Sequence, residues 1–222
     1  MKVLVACEFS GRVRDAFTQL GHDAWSCDLE PAETPGNHVQ GDVLGLLYGP
    51  RREHWDLLIA HPPCQYLSYA ARGIPTWDSA DRRKKREAAV RFAVKLWSAP
   101  VARVCVENPR GELNHALGPA TQTIQPWMFG HRESKRTCLW LRGLPPLEWG
   151  GTKHLFMESG GRRMPRPEPV GFNKQGRPEY AFMRNQGHGR TPEAMEARRK
   201  LRSRTFEGIA QAMAEQWGTL DD

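Results

Sequence analysis

Trp55-Asp-Leu-Leu-Ile-Ala-His-Pro-Pro-Cys64 is the stretch whose reading decides the fold. Its first half, Trp55 to Ala60, is a short apolar run of the kind expected in a strand covered on both faces. Pro62 and Pro63 have no N–H to give to a ladder, so the strand ends before them. Cys64 therefore stands just past a strand's carboxyl end. In open α/β sheets that edge is where ligands bind.

The flanking sequence has a matching rhythm. Lys2-Val-Leu-Val-Ala-Cys7 reads as a first strand. Ser10 reads as the cap of a helix to Leu20, with Val13, Ala16, Phe17 and Leu20 at helical spacing and Gly21 closing it. Asp23 to Cys27 reads as a second strand, followed by Asp28, and a weaker third strand is expected near His38–Val43. A charged helix is predicted from Ser79 to Ser98, with Val90, Ala93, Val94 and Trp97 as its apolar stripe. Arg82 to Arg86 lie on its polar first half, read as a solvated face. Ala102 to Val106 is a fifth strand that ends in Glu107-Asn108-Pro109. This alternation predicts an α/β protein with a doubly wound, mostly parallel sheet. Thr137 to Leu141 reads as one more strand. Residues 142–190 carry many Gly, Pro and Arg residues and read as loops, the turn Asn185-Gln-Gly-His-Gly-Arg190 included. Two closing helices follow, one opened by Thr191-Pro192 and one by Thr205, the second running through Ile209, Ala212, Met213 and Trp217.

Composition narrows the partners. The 222 residues carry a formal net charge of +7, with a pI of about 9.4. That excess favours an anionic partner, nucleic acid first, over the plainer reading of a generally basic enzyme. No run approaches the ~18 apolar residues of a membrane span, and the N-terminus enters a strand pattern without a signal-peptide core. The expected location is the cytoplasm. The five cysteines form no Cys-x-x-Cys pair, which argues against a disulfide framework or a zinc site. Cys7, Cys27, Cys105 and Cys138 lie in or at the ends of apolar runs and read as buried. Cys64 is the exception, turned out by its prolines. His115, His131, His154 and His188 have no ligand spacing, so no metal is expected.

Taken together, the strand ends gather chemistry. After the first comes Cys7-Glu-Phe-Ser-Gly-Arg12, a turn into a helix whose amides can hold a polar ligand. After the second comes Asp28, suited to ribose hydroxyls, and after the third Asp42-Val43, suited to an adenine amino group. Both aspartates also read as plain turn formers. The fourth and fifth give Pro62-Pro63-Cys64 and Glu107-Asn108. A nucleoside-bearing cofactor beside a reactive centre fits this edge. The first turn holds only Gly11 where pyrophosphate binders carry three glycines, so a cofactor without phosphates fits it better.

In this order the motifs resemble those of the DNA cytosine-C5 methyltransferases. Phe9-Ser10-Gly11 is similar to that family's cofactor turn, Pro63-Cys64-Gln65 to its nucleophile turn, and Glu107-Asn108 to its acid-bearing strand end, with Pro109 where the family has valine. Arg132-Glu-Ser-Lys-Arg136 looks like a degenerate form of its arginine segment, with Arg136 the residue that aligns. Phe206 to Trp217 resembles its closing helix, and the whole looks like compact phage and prophage members. The resemblance implies a Rossmann-like class I methyltransferase that uses S-adenosyl-L-methionine. Its catalytic residues would be Cys64, Glu107 and Arg136. Glu8, Phe9, Ser10, Gly11, Asp28, Leu29, Asp42, Val43 and Pro62 would form the cofactor site, and Pro63, Ser68 and Asn108 would face the substrate.

Amino-methylating relatives carry Asn or Asp, two prolines and an aromatic residue at the corresponding turn. Here the first position is His61 and the aromatic position is Cys64, so stacking gives way to covalent attack. The resemblance divides the chain into a catalytic domain, 1–141 with 191–222, and a loop-rich insertion, 142–190, in place of a full target-recognition domain. The expected substrate is DNA, double- or single-stranded, read with short or relaxed specificity. Free pyrimidine nucleotide, RNA, and a catalytically silent nucleic-acid-binding relative remain the alternatives.

Overall fold

The computed structural model describes residues 1–50, 52–72, 76–149, 166–172, 176, 178–180 and 191–220. Its centre is a seven-stranded sheet built from β1 (Lys2–Ala6), β2 (Asp23–Asp28), β3 (His38–Gln40), β4 (Leu57–Ala60), β5 (Arg103–Asn108), β6 (Gln122–Ile124) and β7 (Thr137–Arg142). The spatial order is β3-β2-β1-β4-β5-β7-β6. Neighbours from β3 to β5 pair in parallel, whereas β7 runs antiparallel to both β5 and β6. This is the doubly wound, mostly parallel α/β sheet of the Rossmann-like class.

The strand sequences explain why both faces are covered. In β1, Val3 and Val5 join the core on one side while Leu4 and Ala6 join the other, the period of two that a strand imposes. Residues 57–60 are all inaccessible to solvent. On the first face lie α1 (Arg12–Gln19) and α6 (Glu207–Trp217), whose Phe17, Met213 and Trp217 are fully buried. On the second lies α3 (Ala80–Trp97), burying Ala93 and Leu96 against Leu58 and Val104. The Ser79 hydroxyl caps α3 by accepting from the Arg82 amide at 3.3 Å. The remaining helices are α2 (Val43–Tyr48), α4 (Leu113–Ala116) and α5 (Pro192–Ser203).

Three expectations change. Ser10 is not the cap of α1. Gly11 holds that position with φ 73°, and a Cβ there would fall 2.2 Å from the Thr34 hydroxyl. The third strand stops at Gln40, and Asp42 instead caps α2, accepting from the Leu44 amide at 3.0 Å. Within 142–190 a small hairpin pairs β8 (Gly171–Phe172) with β9 (Pro178–Glu179). His154, His188 and the 185–190 turn lie outside the described residues.

The closing helix is bound to the sheet domain by its apolar face. Ile209, Met213 and Trp217 sit with Val13 and Phe17 in one cluster, and the Trp217 indole N–H donates to the Pro145 carbonyl at 3.0 Å. Trp217→Ala is expected to lower the unfolding free energy by about 3–5 kcal/mol in a urea titration that stays a single transition. A separate early transition for the C-terminal segment would contradict this integration.

Candidate active site

β4 ends as its prolines require. The His61 amide still donates to the Ala6 carbonyl at 2.9 Å, extending the ladder by one residue. Beyond it, Pro62 and Pro63 offer no donor, and a side chain takes over: Asn108 Nδ2 on β5 donates to the Pro62 carbonyl at 2.7 Å, in a buried position. Cys64 then opens a turn in which its carbonyl accepts from the amides of Leu67 and Ser68 at 3.1 and 2.9 Å. Pro62 is buried, whereas Pro63, Cys64 and Gln65 are exposed.

The far side of this turn lies on the chain that follows β5. Ser68 bridges Gly111, and the Glu112 amide donates to the Leu67 carbonyl at 2.8 Å. A Cβ on Gly111 would fall 1.8 Å from that carbonyl oxygen, so only glycine admits the approach. The Ser68 hydroxyl accepts from the Ala70 amide at 3.2 Å and caps a short 3-10 turn, Tyr69–Ala71.

Glu107 meets an unforeseen partner. The pair Ala60↔Val106 is the last in the β4–β5 register, so His61 and Glu107 are the next residues on each strand. His61 Nδ1 lies 2.9 Å from Glu107 Oε2, with the two side chains only 7% and 19% exposed. Burial works against ionising Glu107. The hydrogen bond and charge of His61, the charge of Lys135 and a hydrogen bond from Thr137 outweigh it, so the carboxyl is held below its usual range. With a carboxylate as acceptor, Nδ1 carries the proton. Among the described residues His61 Nε2 is buried without a partner, as is Asn108 Oδ1.

Cys64 is the exposed member of the five free cysteines. Crowding by surrounding protein and the charge of Glu107 push its thiol up, while Lys135 and Arg202 pull it down. Lys135 is held on this side by a 2.7 Å bond from Nζ to the Arg202 carbonyl. The cations that act on Cys64 are therefore Lys135 and Arg202. Arg136, the residue the resemblance singled out, is exposed and lines a separate cleft with Cys138. Parity explains the exchange, because successive side chains of an extended segment point to opposite sides.

The residues that the resemblance assigns to a cofactor lie mainly at the ends of β1, β2 and β3. Glu8 is buried and fully engaged: Oε1 accepts from the Ser10 hydroxyl (3.3 Å) and the Val13 amide (2.7 Å), and Oε2 from the Arg14 amide (3.3 Å). It caps α1 from within rather than facing the cleft. Burial raises its pKa, opposed by His61, the two amides and Arg14. Ser10 and Phe9 are buried, and the Phe9 carbonyl accepts from the Glu33 amide at 2.8 Å. Asp28 is half-buried. Its Oδ1 accepts from the Glu30 amide at 3.0 Å, and among the described residues no donor reaches Oδ2. The Gly41 amide bonds the Asp28 carbonyl at 2.8 Å, which brings Asp42 alongside. Leu29 is 74% exposed and Val43 is buried. Cys7 has φ 59°, so the chain turns sharply as it leaves β1.

α5 crosses near this rim. Arg199 and Lys200 reach Glu30 at 3.5 and 3.0 Å, and Arg204 reaches Glu33 at 2.7 Å. Lys200 Nζ also stands 5.9 Å from the Phe9 ring. Among the described residues no group of three or more His, Cys, Asp or Glu side chains gathers as a metal site, and no helix is long and apolar enough to cross a membrane.

The chain matches no known family model and no curated protein. It is similar to a solved structure of a protein proposed to be a DNA modification methyltransferase, encoded within a prophage (E. coli). The identity is 14%, over 64% of this chain and 46% of that one, with a TM-score of 0.40. The chain thus aligns with less than half of that protein.

The charges around Cys64 set its reactivity in a defined direction. Iodoacetamide is expected to label Cys64 ahead of the four other cysteines, at a rate that still rises above pH ~8.5, where an ordinary thiol is half ionised. Glu107→Gln removes a negative neighbour, lowers the thiol pKa and speeds labelling at neutral pH. Lys135→Gln slows it. Mass spectrometry of the labelled peptide reads all three, and equal rates across the variants would refute the arrangement.

Proposed function

We propose that this protein methylates cytosine at C5 in DNA, using S-adenosyl-L-methionine and a covalent adduct through Cys64. The observation that supports the reading best is the pairing at the sheet edge. An exposed thiol stands on the end of β4, and a carboxylate held by an imidazole stands on the end of neighbouring β5. Cytosine C5 is a poor nucleophile until a group adds to C6. Cys64 Sγ supplies that group, forming the S–C6 bond and shifting electron density toward C5. Glu107 faces the N3 and amino edge of the base. As a carboxylate it accepts from the amino group, and from N3 once that nitrogen carries a proton. His61 Nδ1–H fixes Oε2 of that carboxylate. C5 takes the methyl group as its bond to the sulfonium sulfur breaks and leaves a neutral thioether. Solvent water then takes the C5 proton, and the freed C5–H electron pair expels Cys64 as thiolate and restores aromaticity.

The cofactor-side residues fit a nucleoside without phosphates. Asp28 offers a free carboxylate oxygen beside Asp42, which suits ribose hydroxyls, and a single glycine shapes the first turn. S-adenosyl-L-methionine, when bound, supplies an electrophilic methyl group. Asp28, Leu29, Asp42, Val43, Phe9 and Pro62 would hold it, with Ser10 and Gly11 forming the floor and Glu8 acting beneath as the cap of α1. Lys135 and Arg202 offset the cost of forming a thiolate beside Glu107. In this reading residues 1–141 and 191–222 form the catalytic unit, and 142–190 stands in for a target-recognition domain.

Incubation with tritiated S-adenosyl-L-methionine and DNA, followed by nucleoside analysis, is expected to place the label in 5-methylcytosine. Cys64→Ala should abolish transfer while cofactor binding persists in calorimetry. His61→Asn should lower kcat by about 10²-fold with KM for cofactor nearly unchanged. Label on adenine, or full activity in Cys64→Ala, would end this reading.

A further inference from the structure

Two clefts of similar size differ sharply in their charges. One, of about 680 Å³, lies between α1 and α6 and contains both signs. Its Arg12 and Arg204 are already matched with Glu207 and Glu33 at 3.9 and 2.7 Å. The other, of about 650 Å³, is lined by Arg110, Arg136 and Arg166 with Trp127, Asn114 and Gln125, and among the described residues no carboxylate lines it. Arg166 donates to the Tyr180 hydroxyl at 3.1 Å, and Arg110 and Arg136 are exposed. Among the described residues neither of those two has a carboxylate within ion-pair distance. Trp127 is half-buried and braced edge-to-face by Trp149, with ring centroids 5.8 Å apart.

The second cleft adjoins the reactive edge through backbone pairing. Cys138, one of its lining residues, stands opposite Asn108 in the β5–β7 register. Arg110 follows Asn108 by two residues, and its carbonyl accepts from the Tyr69 amide, in the turn that Cys64 opens. Guanidinium groups from three separate segments, an aromatic ring and two side-chain amides suit a phosphodiester strand with an unstacked base. Guanidinium grips phosphate oxygens, an aromatic ring accepts any base face, and amides reach base edges.

We propose that this cleft binds the nucleotide next to the target base in a single-stranded segment of nucleic acid. Arg110 and Arg136 hold its phosphate and Trp127 stacks its base. The inference rests on the proposed function for its choice of DNA. It adds the strandedness of the substrate, because a base stacked on Trp127 has left its duplex neighbours. It also gives the basic excess a located purpose without a large recognition domain.

The test is binding, read apart from methyl transfer. Fluorescence anisotropy of a labelled 12-nucleotide single-stranded DNA is followed against salt for the full chain. Arg110→Gln and Arg136→Gln are each expected to weaken binding and to reduce the slope of log K against log salt by ~0.7. Trp127→Leu should weaken binding about ten-fold with the slope unchanged, and Trp127→Phe should retain most of the affinity. A duplex of the same sequence should bind more weakly and ignore Trp127→Leu. Arg91→Gln, an arginine already paired with Glu87 on α3, serves as the control and should leave the slope within error. Unchanged slopes in both cleft-arginine variants would overturn the proposal, as would equal loss of duplex and single strand in Trp127→Leu. So would wild-type protein that does not bind the single strand. Should Trp127→Leu fail to fold by circular dichroism, the arginine slopes decide alone. Strand binding without any methylation would sink the proposed function and leave the cleft standing. Methylation with unaltered slopes would do the reverse.

Discussion

The 2.7 Å hydrogen bond from Asn108 Nδ2 to the Pro62 carbonyl is the contact on which the placement of Cys64 beside β5 depends. Two successive prolines deprive β4 of ladder donors at its carboxyl end, where a parallel sheet would otherwise lose its pairing. Asn108 restores one bond from the neighbouring strand, and because it is buried that bond competes with no water. It fixes the proline turn relative to β5, and hence Cys64 relative to Glu107. The second fixed point is Gly111, whose missing side chain lets the Leu67 carbonyl settle against the backbone after β5. A turn held at both ends by one neighbouring strand can present an exposed cysteine in a defined place.

Between β1 and β5 the sheet edge carries an imidazole with a carboxylate on either side, and the two acids respond oppositely. Glu107 touches His61 directly, and that contact, with Lys135 and Thr137, overcomes the penalty of burial. Glu8 feels His61 only as a nearby charge, and burial dominates despite the amides of α1. A direct hydrogen bond thus keeps one carboxyl ionised while the other, two strands away across β4, is driven toward the neutral acid. The same Glu107 charge burdens the Cys64 thiol, so the pair opposes itself until cations enter the balance.

Much of the architecture was legible because period and punctuation agreed. The parallel strands show as short apolar runs, and α3 has a serine at each end, Ser79 and Ser98, at the positions the structure confirms as its caps. β6 and α4 passed unnoticed: three and four residues are too few to show a period. Asp42 reads as an acid at the end of a weak third strand or as a turn former, yet an aspartate two residues ahead of an amide it can accept from is also a helix cap. Glu8 is placed in the cofactor site by the resemblance alone. Its engagement with Val13 and Arg14 is a contact across five and six residues that no local pattern encodes. In the sequence His61 reads only as the residue standing where amino-methylating enzymes carry Asn or Asp. Its meaning depends on the β4–β5 register, which the sequence does not state.

The segment entering β7 shows how one strand can serve two sites. Lys135 and Thr137 both act on Glu107, the first by charge and the second by a hydrogen bond. Arg136 and Cys138 both line the arginine-rich cleft. The two sets alternate, as a period of two demands, so a similarity that aligns only the arginine selects the wrong side of the chain for the thiol. Position by position, a lysine in this segment acts on the Cys64 thiol while the arginine beside it faces outward. Shifting the register by one residue would exchange the sets and leave Cys64 with Glu107 but without Lys135. The antiparallel pairing Asn108↔Cys138 and Glu107↔Leu139 guards against that slip, because it buries Leu139 in the core only in the register observed. The electrostatics of the reactive edge are thus fixed by hydrophobic burial one residue pair away.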